Sequence, residues 1–204
     1  MFILLLAWMT WISYAKGRTV IENKFLLGNE GWCVKQSIEG VKCKISKHHE
    51  SNTGIMNYYI SGKDTLINVD WKNKDDKDLW YFIAPWRNLS NISDKESYAI
   101  TFSLTSFMGN FKKLNKVDRA IVMKSNTMEM YLSVYPEYDG RSQTYWIPMN
   151  EDRVRKKDCD GGFSKVSDRE IKKMLRELTE FAILGDWTQG VEMVSLDNVA
   201  IVSM

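Results

Sequence analysis

One stretch of the chain alternates so regularly that it constrains the fold more than any other feature. In Tyr98-Ala-Ile-Thr-Phe-Ser-Leu-Thr-Ser-Phe107, large apolar residues alternate with small or polar ones. Successive side chains of a β-strand point to opposite faces of the sheet, so one face of this strand is predicted to be apolar. That face carries Tyr98, Ile100, Phe102 and Leu104. The segment 128–135 repeats the pattern, with Met128, Met130, Leu132 and Val134 on one face.

The other hydrophobic runs are short, rich in β-branched and aromatic residues, and separated by polar turns, which is typical of a β-rich domain. They predict further strands at Val20–Leu27, Gly31–Val34, Val41–Ser46, Met56–Ile60, Thr65–Val69, Leu79–Ala84, Ala120–Lys124, Thr144–Pro148 and Val191–Val202. Only one segment has helical spacing. Ser167-Asp-Arg-Glu170 is a capping box, and the apolar residues after it predict a helix near 168–180. We therefore expect a mainly β protein, a two-sheet antiparallel sandwich with one helix.

The first fifteen residues, Met1–Ala15, contain no charged residue, and the chain turns polar at Lys16-Gly17-Arg18. An apolar run of this length is shorter than the roughly 20 residues that span a bilayer, and Ser13 and Ala15 are the small residues that signal peptidase favours. Residues 1–15 are predicted to be a signal peptide and 16–204 a single secreted domain. The alternative is an uncleaved membrane anchor, which is the one membrane contact that we predict. In both cases residues 16–204 face an extracytoplasmic, oxidising space.

The charge of the chain gives no argument for a nucleic-acid partner. The 204 residues include 28 Lys and Arg against 26 Asp and Glu, a formal net charge of +2. A strongly basic surface is what nucleic-acid binding requires, and the charges are interspersed along the chain. We predict no nucleic-acid partner.

Three cysteines and two glycosylation sequons bear on the extracellular prediction. Cys33 and Cys43 flank a segment that could turn as a hairpin and place their sulfurs opposite each other, so we predict a disulfide, with two buried thiols as the alternative. Cys159 is then either free or paired between chains. Asn88 and Asn91 each begin an Asn-x-Ser acceptor sequence and are predicted glycosylation sites.

Two stretches, taken together, resemble the globular laminin domain IV, also called laminin B. The first is Leu79-Trp-Tyr-Phe-Ile-Ala-Pro85-Trp86 followed by the alternating strand 98–107. The second includes Tyr145-Trp-Ile-Pro-Met-Asn-Glu151, the Ser167-Asp-Arg-Glu170 helix start and the closing Val194-Ser-Leu-Asp-Asn-Val199. The resemblance implies a jelly-roll β-sandwich of the galactose-binding-like type and an extracellular, non-catalytic module. Sandwiches of that type often hold a structural calcium ion, for which Glu30 and Asp197 are the predicted ligands; no other cofactor is predicted.

Aromatic residues near predicted loops are the candidates for ligand binding, because sugar rings stack on exposed Trp and Tyr side chains. The predicted ligand-binding residues are Tyr135, Tyr138, Trp146 and Trp187. The alternative is that they fill the core, as we expect for Trp32, Trp80, Phe82 and Phe102.

Motifs for catalysis are scarce in the sequence. It contains no Gly-x-Ser-x-Gly, no His-Glu-x-x-His and no glycine-rich phosphate loop, and the adjacent His48 and His49 are expected in an exposed loop. A glycosidase needs only two facing carboxylates, for which Glu137, Asp139, Glu151 and Asp152 are candidates; solvated turns are the alternative. We predict a binding module for an extracellular glycan or matrix protein, not an enzyme. The alternatives are a secreted carbohydrate-active hydrolase and a structural surface protein that assembles through Cys159.

Overall fold

The structure is a computed structural model, and it describes residues 18–24, 30–36, 44–45, 47–50, 58–63, 79–85, 89, 91–108, 118–134, 142–188 and 191–204. The elements in chain order are β1 (Thr19–Asn23), β2 (Cys33–Gln36), β3 (Lys44–Ile45), β4 (Lys47–Glu50), β5 (Tyr58–Lys63), β6 (Trp80–Ile83), β7 (Tyr98–Met108), β8 (Ile121–Lys124), β9 (Glu129–Leu132), β10 (Gln143–Met149), β11 (Val154–Lys157), β12 (Phe163–Lys165), α1 (Asp168–Arg176), β13 (Glu180–Leu184) and β14 (Met193–Ser203).

The strands form two antiparallel sheets that pack as a sandwich, which confirms the predicted fold class. One sheet has the order β10-β7-β14-β5-β4, and β1 also pairs with β14. The other sheet has the order β12-β11-β9-β8-β13-β6-β2-β3. Strand β14 is long enough to pair with β5 through Met193–Leu196 and with β1 through Val199–Val202 on the same edge.

The core lies between the sheets and contains the residues that the alternating pattern predicts. Tyr98, Ile100, Phe102 and Leu104 are at most 1% exposed, and Met130, Leu132 and Val134 are buried with them. The ring of Trp80 lies against Gly62 of β5 and against Gly185, where side chains would collide with it. The predicted core positions Trp32, Trp80, Phe82 and Phe102 are all confirmed.

Helix α1 begins where the capping box predicts and ends earlier than expected. Ser167 Oγ accepts from the Glu170 N–H, and Glu170 accepts from the Ser167 N–H at 2.8 Å. The helix ends at Arg176 and not near 180, because Thr179 already donates its backbone N–H to the Lys124 carbonyl at 2.7 Å, next to the start of β13. Tertiary pairing with β8 therefore overrides the helical spacing.

Several strand predictions need correction. Residues 47–50, expected as an exposed loop, form β4 against β5, and β11 and β12 were not predicted. In the β2–β3 pair, Cys33 lies in register with Ile45. Cys43 and the predicted strand Thr65–Val69 lie outside the described residues, so the disulfide stays a prediction. Met1–Ala15 also lies outside them, and within the described part of the chain no helix is long and apolar enough to cross a membrane.

Candidate functional site

The outer side of the six-stranded sheet carries polar side chains at the positions between the core residues. Thr101, Ser103 and Thr105 of β7 alternate with the buried Ile100, Phe102 and Leu104, so they point away from the core. Their register partners on the neighbouring strands share the same side. We call this surface, built from Thr101, Ser103, Thr105, Thr144, Trp146, Ser195 and Asp197, the six-stranded face.

A row of three polar side chains crosses the middle of this face. Ser103 lies in register with Thr144 of β10 on one side and with Asp197 of β14 on the other. The hydroxyl oxygens of Ser103 and Thr144 are 2.8 Å apart, so one donates to the other. Because neighbouring strands are about 4.8 Å apart, the row extends over about 10 Å. Thr144 is exposed and Asp197 is half-buried, whereas Ser103 is only 9% exposed, so the Thr144 hydroxyl and the Asp197 carboxylate are the groups of the row that a ligand can reach.

Asp197 is placed by a bulge in β14. The register of β14 against β7 shifts between Asp197 and Ala200, and Asn198 adopts a positive φ of 51°. The Asn198 backbone N–H and side-chain amide each donate to the Asp197 carboxylate at 2.7 Å. Burial raises the pKa of the Asp197 carboxyl to about 6, although the Asn198 N–H opposes this effect. Two carboxylate oxygens have about four acceptor sites, so Asp197 retains acceptor capacity for a ligand.

Aromatic side chains border the polar row on two sides. Trp146 is 42% exposed and lies two residues from Thr144, which places its ring about 7 Å along the same side of β10. Tyr59 of β5 and Phe107 of β7 come from the two sides of β14, and their ring centroids are 5.7 Å apart. The six-stranded face is therefore a polar strip between an exposed indole and an aromatic pair.

The predicted aromatic ligand residues are distributed differently from expectation. Trp146 is exposed as predicted, whereas Trp187 is fully buried, so its assignment as a surface binding residue is wrong. Its indole Nε1 donates to the Leu184 carbonyl at 2.6 Å, and its ring stacks on Tyr145 with centroids 6.1 Å apart. The loop folds the indole inward onto the core aromatics. Tyr135 and Tyr138 lie outside the described residues.

A buried acidic cluster holds the loop that contains Trp187. Glu192 is completely buried and accepts from the Trp187 N–H at 2.6 Å, the Thr188 N–H at 2.9 Å and the Thr188 hydroxyl at 2.7 Å. Burial, together with repulsion from the buried Asp186 carboxyl, raises the pKa of Glu192 to about 8. These two carboxyls lie within the core, so they organise the loop and do not line a surface cleft.

Of the four carboxylates considered for catalysis, the structure describes two, and both lie in a turn. Glu151 and Asp152 are exposed, and Glu151 accepts from the Asp168 N–H at 3.2 Å, which supports the first turn of α1. Glu137 and Asp139 lie outside the described residues. Glu151 and Asp152 therefore have the positions expected of solvated turn residues, which is the alternative to a catalytic pair.

The two predicted calcium ligands make other contacts. Glu30 accepts from the Asn23 side-chain amide at 2.6 Å, and Asn23 is buried on the core side of β1. Asp197 lies on the outer face of β14 and bonds with Asn198. Within the residues that the structure describes, no group of three or more His, Cys, Asp or Glu side chains could hold a metal ion. The calcium site at Glu30 and Asp197 stays a prediction.

Of the predicted modification positions, Asn91 is exposed in a turn, and Asn88 lies outside the described residues. Cys159 is an exposed free cysteine in the turn between β11 and β12. Pairing between chains stays an alternative to a free cysteine, and glycosylation stays a prediction.

Sequence reasoning did not single out the polar row. Its members Ser103 and Asp197 are 94 positions apart, and only strand pairing makes them neighbours. The sequence signal for it was the set of small or polar residues that alternate with the core residues in 98–107. These residues predict a polar outer surface, but they do not identify the neighbouring strands.

No protein-family model and no curated protein matches the sequence. Among solved structures, the L4b domain of human laminin alpha-2 is similar over 90% of this chain and 97% of that domain, with a TM-score of 0.59 and 9% identity. A family 11 carbohydrate-binding module of a cellulosomal cellulase of Clostridium thermocellum has a TM-score of 0.44 at 14% identity, over 85% of this chain and 95% of the module. The same kind of module in complex with a β-1,3-1,4-mixed-linked tetrasaccharide has a TM-score of 0.44 at 15% identity, over 84% and 95%.

The likeness to the laminin domain is one of fold. It confirms the laminin IV-like β-sandwich fold that the sequence resemblance implies. A shared fold at 9% identity leaves function to be argued from the site.

Proposed function

We propose that this chain is a secreted, non-catalytic binding module that takes a neutral oligosaccharide on its six-stranded face. The observation that carries this proposal is the polar row of Thr144, Ser103 and Asp197 beside the exposed ring of Trp146. Sugars present hydroxyl groups around an apolar ring face, so they need hydrogen-bonding groups and a stacking surface at close range.

The geometry suits this chemistry in three respects. The row extends over about 10 Å, and strand geometry holds it rigidly, so little ordering free energy is lost on binding. The exposed Thr144 hydroxyl can both donate and accept, which matches sugar hydroxyls in either orientation, and the buried Ser103 hydroxyl bonds with it at 2.8 Å. The Asp197 carboxylate accepts hydrogen bonds from hydroxyl donors, and such charge-assisted bonds are the stronger kind.

Secretion is part of the proposal and is supported by the uncharged segment Met1–Ala15 and by the two glycosylation sequons. A matrix protein as the partner is the alternative occupant of the same face. If the chain binds a matrix protein and no neutral glycan, the matrix protein becomes the proposed ligand of this face.

Replacing Trp146 by alanine is expected to weaken binding of a neutral oligosaccharide at least about tenfold, because the stacking surface is lost. The secreted protein would first be screened on an array of neutral tetrasaccharides, and the best of them titrated by calorimetry. Phe163→Ala is the matched control, since Phe163 is an equally exposed aromatic residue, 48% against 42%, but belongs to the other sheet. Equal affinities of Trp146→Ala and the parent, or no glycan bound by the parent, would contradict the proposal.

The affinity for the same tetrasaccharide is expected to rise between pH 5 and pH 7. The pKa of Asp197 is about 6, so its carboxyl is mostly protonated at pH 5 and mostly ionised at pH 7. If only the ionised form accepts from the sugar hydroxyls, the gain is up to about tenfold. Asp197→Asn should show a flat pH profile in calorimetric titrations. A parental affinity that falls over this range would show that Asp197 does not act as the acceptor.

A further inference from the structure

A second polar surface lies on the other sheet, at its edge, where β11 and β12 pair. The segment 153–157 reads Arg-Val-Arg-Lys-Lys, and β12 is the edge strand. Arg155 lies opposite Lys165, and Lys157 lies opposite Phe163. Residues two apart on a strand share a face, so Arg155, Lys157 and Lys165 point to the same side within about 7 Å of one another. We call these three residues the basic edge.

The side of the sheet that carries the basic edge is the outer one. Lys156, the residue between Arg155 and Lys157, points the other way and forms an ion pair with Glu170 of α1 at 2.8 Å. Arg155 is also in register with Tyr131 of β9 on the side away from the core residues Met130 and Leu132. The basic edge therefore faces solvent and not the core.

No carboxylate neutralises the basic edge within the described part of the chain. Arg155 donates only to backbone carbonyls, those of Glu151 at 2.9 Å and Val154 at 2.8 Å, and Lys157 and Lys165 are exposed and form no ion pair there. Elsewhere on the same sheet, lysines are matched with acids: Lys35 with Glu180 at 3.6 Å, and Lys124 with Glu129 at 3.5 Å. Of the acids close to these residues along the chain, Asp158 lies at the turn and accepts from the Ser164 hydroxyl at 2.6 Å, and Asp168 is paired with Lys172 at 2.6 Å.

The pairing of Arg155 with Lys165 is unfavourable for the fold. Like charges directly opposite each other on antiparallel strands repel, and such a pair is destabilising without a counter-charge. A bound anion between the two side chains would remove the repulsion. The arrangement is therefore complementary to a ligand with closely spaced negative charges.

Aromatic side chains extend the same surface. The Arg119 guanidinium lies over the rings of Tyr131 and Phe163, 4.9 Å and 5.2 Å from their centroids. Phe163 is 48% exposed. An apolar ring beside fixed cations suits a polymer that has apolar ring faces as well as negative charges.

The geometry points to the basic edge as a binding site for a sulfated polysaccharide, an anionic glycan of the extracellular space. This assignment rests on the secretion part of the proposed function, and it is distinct from the neutral-glycan site on the opposite sheet. Sulfate groups along a sugar chain supply closely spaced negative charges, and the sugar rings supply apolar faces for Phe163.

Heparin is the probe for the test, with the full secreted chain immobilised and binding measured from 50 to 300 mM NaCl. The variant Arg155→Ser/Lys157→Ser/Lys165→Ser is expected to bind heparin at least about tenfold more weakly and to reduce the slope of log affinity against log salt by about two. The control Lys95→Ser/Arg169→Ser/Lys173→Ser removes three exposed cations near α1 and should bind within about twofold of the parent.

A single substitution, which is expected to leave the protein folded, tests whether Arg155 and Lys165 repel each other. Lys165→Glu places an acid opposite Arg155, so it should abolish most heparin binding while leaving the melting temperature at or above that of the parent. A lower melting temperature than that of the parent would show that Arg155 and Lys165 do not repel each other, and would contradict the assignment.

Three results would overturn the assignment: no heparin binding by the parent at 150 mM NaCl, equal losses in the two triple variants, or equal affinity for double-stranded DNA. The neutral-glycan site is tested separately. Trp146→Ala should retain heparin binding, and the Arg155/Lys157/Lys165 variant should retain tetrasaccharide binding, so failure of one site leaves the other interpretable.

Discussion

Replacing Gly185 by alanine should destabilise the fold by about 3 kcal/mol or more. A Cβ atom at this position would overlap the six-membered part of the Trp80 indole. Neither partner can move easily, because Trp80 is buried in the core and the Gly185 N–H donates to the Trp80 carbonyl at 2.9 Å. The measurement is the free energy of unfolding from urea denaturation at pH 7.

Gly162→Ala is the matched control for this substitution. A Cβ at Gly162 would meet only the Asp158 carboxylate, at an ordinary contact distance of 3.7 Å, so its stability should stay within about 0.5 kcal/mol of the parent. The double variant Gly185→Ala/Trp80→Phe should be more stable than the sum of the two single losses predicts, because a smaller ring relieves the overlap. A decrease in the free energy of unfolding of less than about 1 kcal/mol for Gly185→Ala would show that the Trp80 ring can move to accommodate the new methyl group.

The second large effect concerns Glu192 and the pH. The pKa of Glu192 is raised from 4.5 to about 8 by burial and by the nearby Asp186, so the folded state holds a proton that the unfolded state loses. A raised pKa contributes stability that is lost as the pH rises through the folded value. Between pH 6 and pH 9, the free energy of unfolding should fall by about 2 to 3 kcal/mol because of this group.

Glu192→Gln keeps the shape of the protonated acid and cannot ionise, so it should remove most of the decline between pH 6 and pH 9. Asp197→Asn is the matched control, because the pKa of Asp197 is about 6 and its effect falls chiefly between pH 4 and pH 6. Urea titrations at closely spaced pH values separate the two groups. An unchanged decline in Glu192→Gln would assign the pH dependence to another residue.

Glu192→Ala tests the structural role of the same side chain. It removes the acceptor for the buried backbone N–H groups of Trp187 and Thr188, and each buried unpaired donor costs about 1 to 3 kcal/mol. The Trp187 side chain should become more exposed as the loop loosens. Its fluorescence in the native state therefore reports the change independently of stability.

The alternating strand shows what the sequence could predict. The positions of residues 98–104 fix which side chains face the core, because strand periodicity is a local property of the backbone. The capping box likewise predicted the start of α1, since its hydrogen bonds join Ser167 and Glu170 within one turn. The laminin IV-like fold was also accessible from the order of these local patterns, and the structural likeness confirms it.

The exposure of the aromatic residues could not be predicted from the local sequence. Trp146 and Trp187 both lie at or near predicted loops along the chain, yet one is exposed and the other fully buried. The difference comes from Glu192, which draws the Trp187 backbone inward, and from the stacked rings of Tyr145 and Phe102. The stacking of Tyr145 on Trp187 joins residues 42 positions apart, so no local window of sequence contains that contact.

By itself the sequence determined the β-rich class, the helix start and the core-facing residues, because each depends on neighbours a few positions apart. Only the tertiary structure decided the polar row of Thr144, Ser103 and Asp197, the opposed pair of Arg155 and Lys165, and the burial of Trp187. Strand register sets all the cross-strand neighbours, and a shift of one residue would exchange the two faces of a strand. That register is fixed by the packing of the whole sandwich, which is why the two candidate binding surfaces could be located only in the folded molecule.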